Sequence, residues 1–257
     1  MSLALIDALE ARTGIVCAVG AGGKKTTLYR LLDSHPGAIG LTATAMMTPP
    51  PMRRLDTRLI DSPDALLEAV PRAAAAHRRV GYVCPSEKSG RVAGLPPETV
   101  AEIHAAGGFD VTLVKADGAR MRGIKAPRED EPLIVPGCQT VIFIVSAAVM
   151  GQPLDETIAH RLPELGQLLD ITPGERITPD HVGHLLSDSQ GAAHRLEGAR
   201  LIALINQVDD AERLDLARAA AQRAMSGEQP PARVVLGAMT ASDPLIEFVE
   251  AAHPRAD

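Results

Sequence analysis

GIVCAVGAGGKKTTLYRLLD, residues 14–33, is the stretch that decides the fold. Its first seven residues form a short apolar run between two glycines, the pattern of a strand buried on both faces. Gly20, Ala21, Gly22 and Gly23 then let successive backbone N–H groups converge on an anion without Cβ obstruction. Lys24, Lys25, Thr26 and Thr27 follow, and residues 26–33 read as a helix whose N-terminal dipole faces the same anion. A second apolar run at 38–42 (AIGLT) completes a βαβ unit. The loop approximates the phosphate-binding pattern G-x-x-x-x-G-K-[ST], but it is shorter and Lys25 stands before Thr26. Either Lys24 or Lys25 takes the phosphate charge, and the Thr26 hydroxyl is the candidate Mg²⁺ ligand.

Outward from this unit, apolar runs at 80–84, 111–114, 141–145, 201–205 and 234–236 predict further strands. Helices are expected at 2–11, 62–76, 96–106, 211–225 and 244–252, with Ser62 as an N-cap and Pro71 kinking or dividing its helix. Residues 44–54, with three consecutive prolines, read as a loop. Residues 154–190, interrupted by Pro163, Pro173-Gly174 and Pro179, read as a small helical insertion. Strands alternating with helices predict an α/β fold, a P-loop-type three-layer sandwich with a mostly parallel sheet. The length of 257 residues suits one such P-loop NTPase-like domain, with the insertion at about 154–190. Ligands in these sheets sit at the carboxyl ends of strands, here the loops after Val19, Thr42, Val114 and Ile205.

Those loops supply the other candidates. Asp117 follows the run VTLV, where an acidic residue can hold Mg²⁺ or act in phosphoryl transfer beside Lys24 and Lys25. Arg120, Arg122, Lys125 and Arg128 cluster after it and suit an anionic substrate. Thr42 and Thr44 open a substrate-handling loop, and His160 and Arg161 are a candidate proton donor and anion binder. Asn206-Gln207-Val208-Asp209 resembles the NKxD base-reading motif of GTPases, with Gln207 in place of lysine, which makes Asn206 and Asp209 candidate base contacts.

Composition removes several function classes. The net charge of -6 does not attract nucleic acid or anionic membranes by bulk charge, so any phosphate must be held locally. Aromatics are 2% of the chain, which leaves few platforms for stacking single-stranded nucleic acid. Cys17, Cys84 and Cys138 form no CxxC pair and predict neither a disulfide framework nor a zinc site. Neither a membrane span nor a secretory signal is evident, and a cytoplasmic location is expected.

An ordered set of segments resembles one family. It comprises GAGGKKTTL (20–28), TATAMMTPP (42–50), GRVAGL (90–95), ADGARMRGIKAP (116–127), HRLPEL (160–165), ITP (177–179) and NQVD (206–209). Together these resemble the YqeC-type selenium-dependent hydroxylase accessory proteins, also described as selenium cofactor biosynthesis proteins. In that family GAGGK is followed directly by Thr or Ser, and the residue before Ala116 is usually acidic; here Lys25 and Lys115 occupy those places. The resemblance implies a P-loop-type nucleotide-binding fold that takes an NTP (ATP or GTP) with Mg²⁺. It also implies partnership with a molybdenum hydroxylase or its cofactor-maturation proteins. Three activities are compatible with it: an NTP-hydrolysing maturation factor, an ATP-dependent ligase or group-transfer enzyme on a small anionic substrate, and a non-catalytic nucleotide switch or chaperone that binds a client.

Overall fold

The computed structural model describes residues 2–250. In chain order, α1 (Ser2–Ala8), β1 (Gly14–Gly20), α2 (Lys24–Ser34) and β2 (Ile39–Ala43) form the opening unit. β3 (Thr57–Ile60), α3 (Pro63–Ala74), β4 (Arg79–Val83), α4 (Pro97–Gly107) and β5 (Val111–Lys115) follow. The middle of the chain holds β6 (Ile124–Lys125), β7 (Thr140–Ser146), β8 (Ala159–His160), α5 (Leu162–Leu169) and α6 (Pro179–Ser187). The last elements are β9 (Arg200–Asn206), α7 (Ala211–Met225), β10 (Arg233–Gly237) and β11 (Leu245–Glu250).

Among the described residues nine strands form one sheet, in the order β11-β10-β9-β7-β1-β5-β2-β4-β3. Every neighbouring pair is parallel except β10 with β11. β1 lies at the centre, and its alternate side chains feed two separate cores. Val16 and Ala18 pack with Leu5, Ile6, Leu28 and Leu31 of α1 and α2. Ile15, Cys17 and Val19 face the opposite layer, with Leu66 of α3, Val100 of α4, Leu185 of α6 and Ala221 of α7. Burial of each such leucine or isoleucine stabilises the fold by about 1.5–3 kcal/mol, which is why β1 and β7 are apolar along nearly their whole length. The three cysteines are free and buried. No helix among the described residues is long and apolar enough to cross a membrane.

Several elements differ from the sequence-based expectation. The helix expected at 244–252 is a strand over Leu245–Glu250, antiparallel to β10, while residues 251 and 252 lie outside the described part. LIEFVE alternates apolar and acidic residues, and as a strand it pairs Glu250 with Arg233 and places Phe248 4.7 Å under the Arg233 guanidinium. Edge strand β3 escaped the hydrophobic pattern because its four residues, TRLI, are short and only half-buried. α3 runs unbroken through Pro71, with Ser62 capping Ala65 N–H as expected. Residues 154–190 do contain two helices, but Leu165, Leu169, Val182, Leu185 and Leu186 belong to the same core as the strands. Gly183 makes this possible, since a Cβ there would meet Arg223 Cβ at 2.5 Å where α6 crosses α7.

Topology fixes the site. The chain leaves β1 toward β2 on one side of the sheet and leaves β7 toward β9 on the other. A crevice therefore opens between these neighbours at their carboxyl ends, the usual ligand position in an open parallel sheet.

Candidate functional site

β1 delivers its chain into that crevice at Gly20, and α2 starts at Lys24, two residues earlier than the sequence pattern predicts. The intervening turn depends on glycine. Gly22 has φ 85°, and a Cβ there would lie 2.5 Å from Ser146 N at the end of β7. Gly23 has φ 126°, and its Cβ would lie 2.3 Å from Asn206 Nδ2. No side chain caps α2, and its first helical bond runs from Thr27 N–H to Gly23 O. The amides of Lys24, Lys25 and Thr26 thus open toward the crevice at the positive end of the helix dipole. Asn206 braces the turn from β9: its Nδ2 donates to Gly22 O at 2.7 Å, and its Oδ1 accepts from Met239 N at 3.0 Å.

Because helical neighbours diverge by about 100°, the two lysines point to different places. Lys24 turns inward, donates to Gly20 O, and lies 2.9 Å from Asp117 Oδ1. The other Asp117 oxygen accepts from Lys125 Nζ at 2.7 Å and from Gly20 N–H at 2.8 Å. Lys125 continues to Glu131 at 3.1 Å, and Glu131 also binds Arg161. Burial pulls the Asp117 carboxyl upward, but Lys24 and then Lys125 outweigh it and hold it below the ordinary carboxylate value. Burial lowers Lys24 despite Asp117. Lys25 turns outward and reaches Thr48 Oγ1 at 3.1 Å.

The crevice widens into a cleft of about 640 Å³. Its walls carry Lys24, Lys25, Lys88, Arg91, Lys115, Arg120 and Arg122, together with His160, and among the described residues no Asp or Glu. A chain of net charge -6 thus gathers seven cations around one opening. Of these seven, Lys24 alone has an ion pair among the described residues. Burial, then the field of Lys24, lowers the Lys115 ammonium to about 8; it donates to Met46 O at 2.9 Å and Asp117 O at 2.6 Å. Burial, then Arg161 and Lys125, lowers His160 below the ordinary imidazole value. Six of the seven cations thus have no carboxylate partner among the described residues, and their fields add at the opening.

Other expected residues lie behind the cleft. Thr42 is fully buried and donates to Tyr82 O at 2.6 Å, and Thr44 donates to Leu133 O at 2.8 Å. Lys125 and Arg161 are absorbed in the Asp117–Glu131 network, and Arg128 pairs with Asp130 at 2.6 Å. Asp209 pairs with Arg213 at the start of α7 and does not line the cleft; Gln207 does. Sequence reasoning passed over Lys88, Arg91, Lys115, Thr48 and Gln207 as contacts. Antiparallel bridges Met47–Val92 and Cys84–Ala93 bring residues 88–93 to the opening, and no local pattern announces pairings of that kind. Lys115 was legible as the last residue of β5.

The donors present do not fit a protein-held Mg²⁺. Thr26 brings a hydroxyl to the cleft, but Asp117 is enclosed by two ammonium groups. No group of three or more His, Cys, Asp or Glu that could hold a metal ion occurs among the described residues.

Comparison with known proteins agrees with the family resemblance, and the match takes in the quoted segments up to residue 163. The family model described as YqeC protein matches residues 16–163, from β1 into α5. A relative from Escherichia coli (strain K12), designated "Uncharacterized protein YqeC", is 26% identical over 209 residues, covering 79% of each chain. With the central strand, the glycine turn and the basic 116–127 loop all inside the matched segment, the chain belongs to the YqeC family.

Proposed function

We propose that the cleft binds the polyphosphate of a nucleoside triphosphate. One observation carries this: open helix-terminal amides and seven cations converge on a cleft whose walls contain no carboxylate. Lys25, Lys115, Arg122 and the amides of Lys24 to Thr26 hold phosphate oxygens. Lys24 joins them by leaving Gly20 O and Asp117. Asn206 and Asp209 have partners within the protein and take no part in reading the base. Any turnover of ATP or GTP rests on electrostatic stabilisation by these cations. Family resemblance extends the proposal to a cellular role, accessory to the maturation of a molybdenum hydroxylase.

Calorimetric titration with ATP, GTP and CTP, with and without Mg²⁺, tests the binding. A nucleoside triphosphate should bind and raise the melting temperature, more for a tighter ligand, with the logarithm of its affinity. Absence of binding by all three, with the protein folded, would overturn the proposal. Hydroxylase activity in cells lacking the protein, restored by the unaltered chain but not by an Arg122→Ala variant, tests the cellular role; restoration by both would separate that role from the cleft.

A switch version has its own support. Lys24 is bound to Asp117, which is bound to Lys125, the last residue of β6 in the small β6–β8 pairing. Moving Lys24 onto a phosphate would leave Asp117 to Lys125 and the Gly20 amide, relieve the repulsion between the two ammonium groups and tighten the Asp117–Lys125 pair. Hydrogen exchange at residues 124–125 and 159–160 should fall on nucleotide binding, and unchanged exchange would count against the switch.

A further inference from the structure

Apart from cations and glycines, the cleft presents two large apolar side chains, Met46 and Met121. Met46 is 43% exposed and Met121 94% exposed. Its chain neighbour Met47 shows the ordinary fate of such a residue: it is 1% exposed, packed with Ala43, Val83 and Val92. The two outward methionines are also held to the phosphate-binding elements by their backbones. Met46 O accepts the Lys115 ammonium at 2.9 Å. Met121 sits in a turn closed by Arg122 N–H to Ala119 O at 2.8 Å, and Arg122 O in turn accepts Gly22 N–H at 2.9 Å.

That turn is strained. Arg120 and Met121 have φ of 44° and 63°, a pair of left-handed conformations that favours Asn-Gly and disfavours residues with long side chains. An apolar side chain is thus projected almost fully into solvent from an unfavourable backbone, beside a phosphate cradle. Among the described residues no Phe, Tyr or Trp lines the cleft, and the His160 imidazole is the one ring in its wall.

We propose that Met46 and Met121 form a clasp for the heterocyclic base of the nucleotide whose phosphates occupy the glycine turn. This rests on the polyphosphate proposal above and adds the element that holds the rest of the ligand. Thioethers make favourable contacts with aromatic rings and adapt to their outline. The clasp grips faces rather than edges.

Calorimetry of the full chain with ATP and with inorganic tripolyphosphate tests the clasp. ATP should bind about tenfold more tightly than tripolyphosphate. Met121→Gly removes the side chain while giving the turn a residue suited to positive φ, so the protein should melt no lower than before. That variant should weaken ATP toward the tripolyphosphate affinity and leave tripolyphosphate unchanged, and Met46→Ala should do the same. Equal affinities for the two ligands in the unaltered chain, or equal losses of both in the variants, would overturn the clasp and leave the polyphosphate site standing. Failure of both ligands to bind would remove the polyphosphate site and the clasp with it.

Discussion

Two groups of basic residues lie within a few residues of each other in the 115–131 region, and they behave as opposites. Lys125, with Lys24 and Arg161 from elsewhere in the chain, is matched by Asp117 and Glu131 in the interior. Arg120 and Arg122, with Lys25, Lys88 and Arg91, stand in the cleft without a carboxylate among the described residues. Cations of the first kind hold the glycine turn to β5 and β6; those of the second kind have no acidic partner among the described residues. Basic side chains in sequence look alike, and their division into structural and ligand-directed sets depends on where the acids are placed.

The division can be broken from either side. The largest effect is expected for Asp117→Ala, which strands two buried ammonium groups and should lower stability by about 3–5 kcal/mol in denaturant titration. A loss below about 1 kcal/mol would show that the inner network is not structural. Next, Gly22→Ala forces a Cβ against Ser146 N and should cost about 1–3 kcal/mol while lowering ATP affinity by more than about tenfold. Native affinity in that variant would remove the glycine turn from the site. Arg122→Ala should do the reverse of Asp117→Ala, reducing ATP affinity about fivefold to tenfold with stability changed by no more than about 0.5 kcal/mol.

Smaller effects come from pH and metal. Lys115 titrates near 8 in the folded chain against 10.5 in its unperturbed form. Nucleotide affinity should therefore fall as pH rises through about 8, as one cleft cation is lost. Stability should move the opposite way: between 8 and 10.5 the unfolded chain binds the extra proton, so the Lys115 contribution to folding rises with pH. Comparing slopes with those of Lys115→Met isolates both effects, and parallel slopes would dismiss them. Smallest of all is the expected response to chelation of Mg²⁺. With no carboxylate in the cleft to bridge through metal, triphosphate affinity should be nearly unchanged, and strong loss would mean that the metal travels in on the phosphates.

Much of this molecule was legible in its sequence. Central strands such as β1, β7 and β9 declare themselves as apolar runs because both faces are covered. The glycine turn declares itself because only residues without a Cβ fit there. What stayed hidden depends on pairing at a distance. LIEFVE becomes β11 only because β10 offers an open edge, and Lys88 and Arg91 reach the cleft only through bridges to residues 47 and 84. Asp117 looked like a metal ligand because its position at the end of β5 was readable, whereas the side chain of Lys125, eight residues on, folding back onto it was not. Asn206 looked like a base reader, and its amide is instead spent on Gly22 O and Met239 N–H.

The pair of hydrogen bonds made by the Asn206 side chain has a consequence for how the protein comes into being. The glycine turn is synthesised within the first tenth of the chain, yet the residue that braces it arrives at position 206 and is itself fixed by position 239. A growing chain emerges from its N-terminus, so the ribosome releases the glycine turn long before its support exists. A fragment ending where the family match ends, at residue 163, would contain every glycine of the turn but neither β9 nor Asn206. The braced turn on which the proposed anion site depends therefore needs a chain that extends past residue 239, and a shorter copy lacks it.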